Sequence, residues 1–363
     1  MILNRLYLLV MKLKKILSYF DYIFIVVSCS IFIFATTSGY ENFTVPLSIS
    51  ISIFLLSVWL IRGKKIMFPK GLLLFLLFLV TLLVHTLFFE GKIIYFLTFL
   101  SGCLYWLIVF NMRYTISKYF LTFLIFIGII MVGVNVGSNI VGITFYSSNN
   151  LFLPLQQNGL HNHIGDLWAI ILVGLIYKLF QRYYWWQIPL IVLACVLIAL
   201  SSSRSAIVSL VIGVIYIYYN SFKGKVHKVL IVSIFIIASV LFIFTSATKT
   251  TLFSRPYIVE SINSLINSPL GIGIGNFGRV SHESSIAHNI ILEITTGMGV
   301  FSILFIFWVI KMVKYFIKSR NNALHSALFI ALFINFIFDS TYTIPVMIWI
   351  WFSTLALTEK DNR

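Results

Sequence analysis

Apolar runs, each broken by a few polar or basic positions, follow one another along nearly the whole chain. Runs of this length read as membrane-crossing helices. They predict twelve, at about residues 20–37, 43–61, 71–89, 93–111, 117–137, 164–180, 187–201, 205–220, 228–246, 288–310, 324–338 and 343–357. Several are shorter than the ~20 residues of a straight crossing, so they are expected to borrow polar flanks or to be re-entrant. The pattern is not the ten-residue alternation of a β-barrel. The predicted fold is all-α, a polytopic integral membrane protein with no internal repeat and no soluble domain.

Two polar stretches stand out. One, Ser138–His163, contains SSNNLFLPLQQNGLHNH and reads as a loop. The longer, Ala247–Ala287, holds Arg255, Glu260, Arg279, His282 and Glu283. In it, Pro256 suits a first helical turn, Ile258, Val259, Ile262, Leu265 and Ile266 recur at helical spacing, and Pro269 closes the run. A short amphipathic helix on the membrane surface is expected there. The chain divides into 1–158 (about five spans and a loop), 159–310 (the segment richest in polar motifs) and 311–363 (the last spans and tail).

Composition sharpens this picture. Only 10% of the residues are charged, against about 25% in soluble domains. The net charge of +16 reads as loop orientation rather than nucleic-acid binding. With the N-terminus inside, 21 of the 26 lysines and arginines fall in inside segments. Lys92, Arg204, Lys249, Arg255 and Arg279 fall outside, so orientation does not explain them. The acidic residues Glu41, Glu90, Asp166, Glu260, Glu283, Glu293 and Asp339 also gather at or near the outer helix ends. Cys29, Cys103 and Cys195 lie in apolar runs and form neither a disulfide framework nor a metal spacing. The first run follows Lys12, Lys14 and Lys15 without an evident cleavage site and is expected to remain as a span.

The chemistry-bearing positions cluster outside. In ALSSSRSAIVSL, Arg204 sits among serines between two apolar runs. It is either a residue snorkelling from a helix end or an anion site, where guanidinium grips phosphate with paired donors. Arg255, before Pro256, is either an ordinary surface arginine or a second part of such a site. His288 opens the tenth span, where an imidazole can take a proton near neutral pH or simply finish a helix. Asn289, Glu293 and Thr296 share a helical stripe beside it. In GLHNHIGD, His161, Asn162, His163 and Asp166 lack the spacing of a metal site and read as a hydrogen-bonding loop. Gly273, Gly275 and Gly278 match GxGxxG, but no strand precedes them, so a tight turn is the better reading than a dinucleotide site. His85 and His325 lie near helix ends and carry no further signal. No Asp-x-Asp pair occurs, so any phosphate is expected to be held by arginine without a metal or other cofactor.

Four pieces in order, NGLHNHIGDLWA, ALSSSRSAIVSL, RPYIVESINSLINSPLGIGIGNF and HNIILEITTGMGVFSILF, resemble the O-antigen ligase and O-antigen polymerase superfamily of bacterial surface-polysaccharide enzymes. They cover about Gly159 to Phe305. The resemblance implies a glycosyltransferase at the outer side of the bacterial inner (plasma) membrane, with a glycan on undecaprenyl diphosphate as donor. It implies that Arg204 and Arg255 hold the diphosphate and that His288 acts at the acceptor. Arg279, Asn289, Glu293, Asn162, His163 and Asp166 would support them. Membrane lipids and other polysaccharide-assembly proteins, such as a flippase or chain-length regulator, are the expected partners. A polymerase, metal-independent and inverting, is the first reading, because Ala247–Ala287 is short for the family's outer loop. A ligase acting on lipid A–core and a lipid-linked oligosaccharide flippase are the alternatives. Ala247–Ala287 is expected to act as a lid that sets the acceptor's approach.

Overall fold

The computed structural model describes residues 41–61, 65–141, 162–201, 203–221, 257–281, 287–318 and 322–359. In chain order the α-helices are α1 (Glu41–Ile61), α2 (Leu72–Phe88), α3 (Ile93–Asn111), α4 (Arg113–Val141), α5 (Asn162–Gln181), α6 (Gln187–Ser201), α7 (Arg204–Ser221), α8 (Tyr257–Asn267), α9 (Ile290–Met298), α10 (Ile303–Lys318), α11 (Ala323–Phe338) and α12 (Pro345–Thr358). Short 3-10 turns occur at Phe277–Arg279, Gly299–Ser302 and Ser340–Thr343. No strand occurs among the described residues.

Five segments are long and apolar enough to cross a membrane: Thr44–Ile61, Ile93–Asn111, Arg113–Gly133, His163–Gln181 and Ile290–Phe316. The last runs through α9, the Gly299 turn and α10. Helices α2, α6, α7, α11 and α12 are apolar but shorter. The protein is thus a helical, membrane-embedded one. These ten segments follow ten of the expected spans in order. The spans expected at 20–37 and 228–246, Arg255, His282 and Glu283, and most of the Ser138–His163 loop lie outside the described residues.

Helix α12 is the hub. Every residue from Pro345 to Thr358 is buried, as expected of a helix apolar on all sides. The rings of Phe75, Trp106, Trp308 and Trp351 surround Phe352, with centroids 5.0–5.9 Å away. The Trp349 indole N–H donates to Ser101 Oγ at 2.7 Å, which ties α12 to α3. Gly102 leaves the space that Phe352 fills, since a Cβ there would overlap the ring.

The bundle has two ends, told apart by the contacts found at each. At one, the Glu359 carboxylate accepts the Lys70 N–H at 2.8 Å, Asn111 bonds both ways with Met67, and Lys70 lies 5.3 Å over the Tyr315 ring. His288 marks the other. Of the twelve described lysines and arginines, only Lys92, Arg204 and Arg279 lie at the His288 end.

Glu359 is buried just beyond the end of α12. Burial pushes its carboxyl from 4.5 up to about 7, against the opposing pull of the Lys70 N–H and the charges of Lys70 and Arg113. The folded state therefore holds a proton that the unfolded chain releases near pH 4.5. The contribution is fully present below that pH and is lost as pH rises through about 7. Thermal unfolding of the purified protein is expected to move to lower temperature across this window. Glu359→Gln, neutral at every pH, should flatten the slope in the same scan.

Candidate functional site

Several helix ends meet at the His288 end of the bundle. Helix α6 stops at Ser201 and α7 starts at Arg204, so the turn between them is tight. It meets α5 at Asp166, four residues into that helix and about 6 Å along it. Gly165 permits the approach, because a Cβ there would collide with Ser201. The hydroxyls of Ser203 and Ser205 both donate to Asp166 Oδ1 at 2.8 Å. Ser203 Oγ also accepts the Ala206 N–H at 3.2 Å and so caps α7. Arg204 is the first residue of α7 and is half-buried. It stands at the positive end of the α7 dipole, which favours an anion. His163 is buried on the first turn of α5.

Helix α11 links this cluster to His288. Asn335 Nδ2 donates to the Asp166 carbonyl at 3.4 Å. One turn later, Asp339 ends α11, its N–H bonded to the Asn335 carbonyl at 2.8 Å. Asp339 Oδ1 lies 3.6 Å from His288 Nδ1, with the carboxylate buried and the imidazole 32% exposed. His288 holds a left-handed backbone, φ 49°, an uncommon state for a residue with a Cβ and one that concentrates at functional sites. A carboxylate at Nδ1 favours the tautomer with its proton there, which puts the ring's lone pair on Nε2.

The glycine-rich stretch is a plug. Ile274 and Phe277 are fully buried, at 0% and 1% exposure. The continuous helix expected at 288–310 instead breaks at Gly299, φ 57°, and the stretch docks on the carbonyls around the break. The N–H of Ile272 donates to Thr296 O (3.2 Å), Gly273 to Gly297 O (2.9 Å) and Val300 to Pro269 O (2.9 Å). Gly273 and Gly275 have φ of 87° and 79°, the tight turn expected of them, and Gly271 joins it with φ 91°, while Gly278 lies in the 3-10 turn Phe277–Arg279. Buried Glu293 fastens the plug: it accepts the N–H of Gly275 and of Ala287, each at 3.0 Å, and faces the Tyr342 hydroxyl at 3.4 Å. Burial first, and Glu293 second, push the Tyr342 phenol well above its usual 10, so it remains a donor. Beside Tyr342, a cavity of about 50 Å³ is lined by Tyr95, Thr98 and Phe99, room for a few waters and not for a sugar ring. His85 Nε2 holds Leu270 O at 2.7 Å from α2.

The structure therefore gathers Asp166, Ser203, Arg204, Ser205, Asn335, Asp339 and His288 along one linked path. It gives other expected residues different work. Asn289 caps α9, accepting the N–H of Ile291 at 2.8 Å and of Leu292 at 3.1 Å. Arg279 pairs with Glu90 at 3.5 Å on the surface, both side chains more than half exposed. Asn162 begins α5. Residues 268–281 pack into the bundle instead of lying over it as a lid, because their N–H groups satisfy the carbonyls freed at the Gly299 break. Asp339, Asn335 and Tyr342 enter the site from α11 and the turn after it. Asp339 was visible in sequence only as an acidic residue near an outer helix end.

Comparison with protein-family models and with curated protein sequences finds no match to this chain.

Proposed function

We propose that the protein is a membrane glycosyltransferase, an O-antigen-type polymerase that moves a glycan from undecaprenyl diphosphate onto another lipid-linked repeat unit. One observation carries the reading. A histidine presented by a buried carboxylate lies at the same end of the bundle as a half-buried arginine at a helix start. The 21-to-5 split of basic residues supports reading that end as the outer one.

In this mechanism Arg204, with Arg255, holds the donor diphosphate. His288 Nε2 takes the proton from the acceptor hydroxyl as its oxygen attacks the anomeric carbon. The bond to the diphosphate breaks through an oxocarbenium-like state, and the leaving charge grows against the arginines. Contacts that strengthen at that moment accelerate the step. Attack opposite the leaving group inverts the anomeric centre. Asp339 orients the base, and Asp166 with Ser203 and Ser205 sets the turn that carries Arg204.

The test is the sugar-lipid profile of a strain lacking the chain. A single repeat unit left on the lipid A–core is expected. Bare core with accumulated lipid-linked polymer would instead make the protein a ligase. Purified protein that moves labelled lipid across vesicles and never lengthens glycan would make it a flippase. Arg204→Ala in the same strain is expected to reproduce the deletion profile while the protein still inserts in the membrane.

A further inference from the structure

Helix α8 is amphipathic as expected, but it faces the opposite way from a helix packed on a water-soluble body. Its aliphatic row is exposed: Ile258 53%, Val259 61%, Ile262 51%, Leu265 37% and Ile266 71%. Its inward side is polar. Ser261 and Ser264 are buried at 3% and 6%, and their hydroxyls, like Glu260 Oε2, have no hydrogen-bond partner among the described residues. Asn263 and Asn267, one turn apart, are exposed at the edge of the aliphatic arc. On a helical projection the surface thus has three sectors, aliphatic, amide and hydroxyl, and the aliphatic sector carries no charge.

A water-facing helix turns its apolar stripe to the core. Here the row faces away from the protein, so only a non-aqueous surrounding can bury it. The row also joins an apolar belt. Val300 (55%), Phe301 (40%), Ile303 (67%) and Phe307 (59%) are exposed just past the junction where Val300 N–H meets Pro269 O. Val84, Leu87 and Phe88 are exposed on α2 beside His85, which holds Leu270. These belong to membrane-crossing elements, so their exposed side is the lipid side.

We infer that α8 lies in the plane of the membrane at the His288 end of the bundle, its aliphatic row among the acyl chains of that leaflet. Asn263 and Asn267 face the headgroups, and Ser261 and Ser264 face the protein. Helix α8 packs against α9 and ends at the same junction. The wall beside the start of α9 is therefore lipid-facing, and a substrate carried on a lipid reaches His288 at headgroup depth without leaving the bilayer. That consequence rests on the glycosyl-transfer reading; the depth of α8 does not, so the two fail separately.

The test is a depth measurement on the full chain in nanodiscs of phosphatidylethanolamine and phosphatidylglycerol. A nitroxide is placed at Ile262→Cys, with Cys29, Cys103 and Cys195 replaced by alanine, and a reference label at exposed Gly278→Cys. Oxygen, which partitions into lipid, is expected to relax the 262 label several-fold more than a water-soluble nickel chelate does, with the order reversed at 278. Chelate dominance at 262 puts α8 in water and overturns the inference. Protection from both reagents puts it under protein and overturns it equally. In the unaltered chain, phospholipid bearing a diazirine in its acyl tail should label the peptide containing 257–270. An unlabelled peptide overturns the inference whatever the behaviour of the cysteine variants.

Discussion

His288→Ala is expected to lower the rate of chain extension by about 10²–10⁴-fold, the range that a positioned general base supplies, while donor binding is retained. Asp339→Asn should follow with a fall in kcat of about 10²-fold and little change in KM. The amide keeps the shape but can present N–H to Nδ1, which favours the tautomer with its proton on Nε2, where the base must be free. The two side chains lie 3.6 Å apart, and residues that act as one unit do not add. The double variant is therefore expected to be no slower than His288→Ala alone. The check is a kinetic cycle on the four proteins with lipid-linked repeat units extracted from the deletion strain. Losses that multiply would mean that Asp339 acts elsewhere and that the dyad is not the base.

The helices were legible because a membrane leaves few choices: apolar runs must become helices that satisfy their own backbone. The ends of α8 were legible for a different reason, since Pro256 and Pro269 restrict the chain whatever surrounds it. Contacts between distant segments were not. Nothing in the local sequence of Asp339 says that it meets His288, 51 positions earlier. The amphipathic period of α8 was plain, but a period has no sign. Whether the aliphatic or the serine side faces inward depends on what lies next to it. The glycine-rich stretch shows a third limit. Its tight turns follow from the glycines alone, yet its burial follows from the break at Gly299 on another segment, whose free carbonyls need donors. The meeting of Asp166 with Ser203 and Ser205 likewise joins residues 37 and 39 positions apart, which no local pattern announces.

Glu293 carries the other large effect, and it separates architecture from chemistry. Its two carboxylate oxygens receive N–H groups from Gly275 and Ala287, on either side of the segment that leads to His288. Glu293→Ala leaves both donors buried and unpaired, at about 1–3 kcal/mol each, a large share of a total stability of about 5–15 kcal/mol. The expected result is loss of activity together with release of residues 268–287, seen as faster tryptic cleavage after Arg279 and a lower unfolding temperature. Glu293→Gln should fall between: its carbonyl keeps one N–H, while its amide turns two donors toward each other. His288→Ala, by contrast, should leave the cleavage rate at Arg279 unchanged. If Glu293→Ala were inactive with unaltered proteolysis and unfolding, the carboxylate would be taking part in the reaction, and the base assigned to His288 would need to be tested against it.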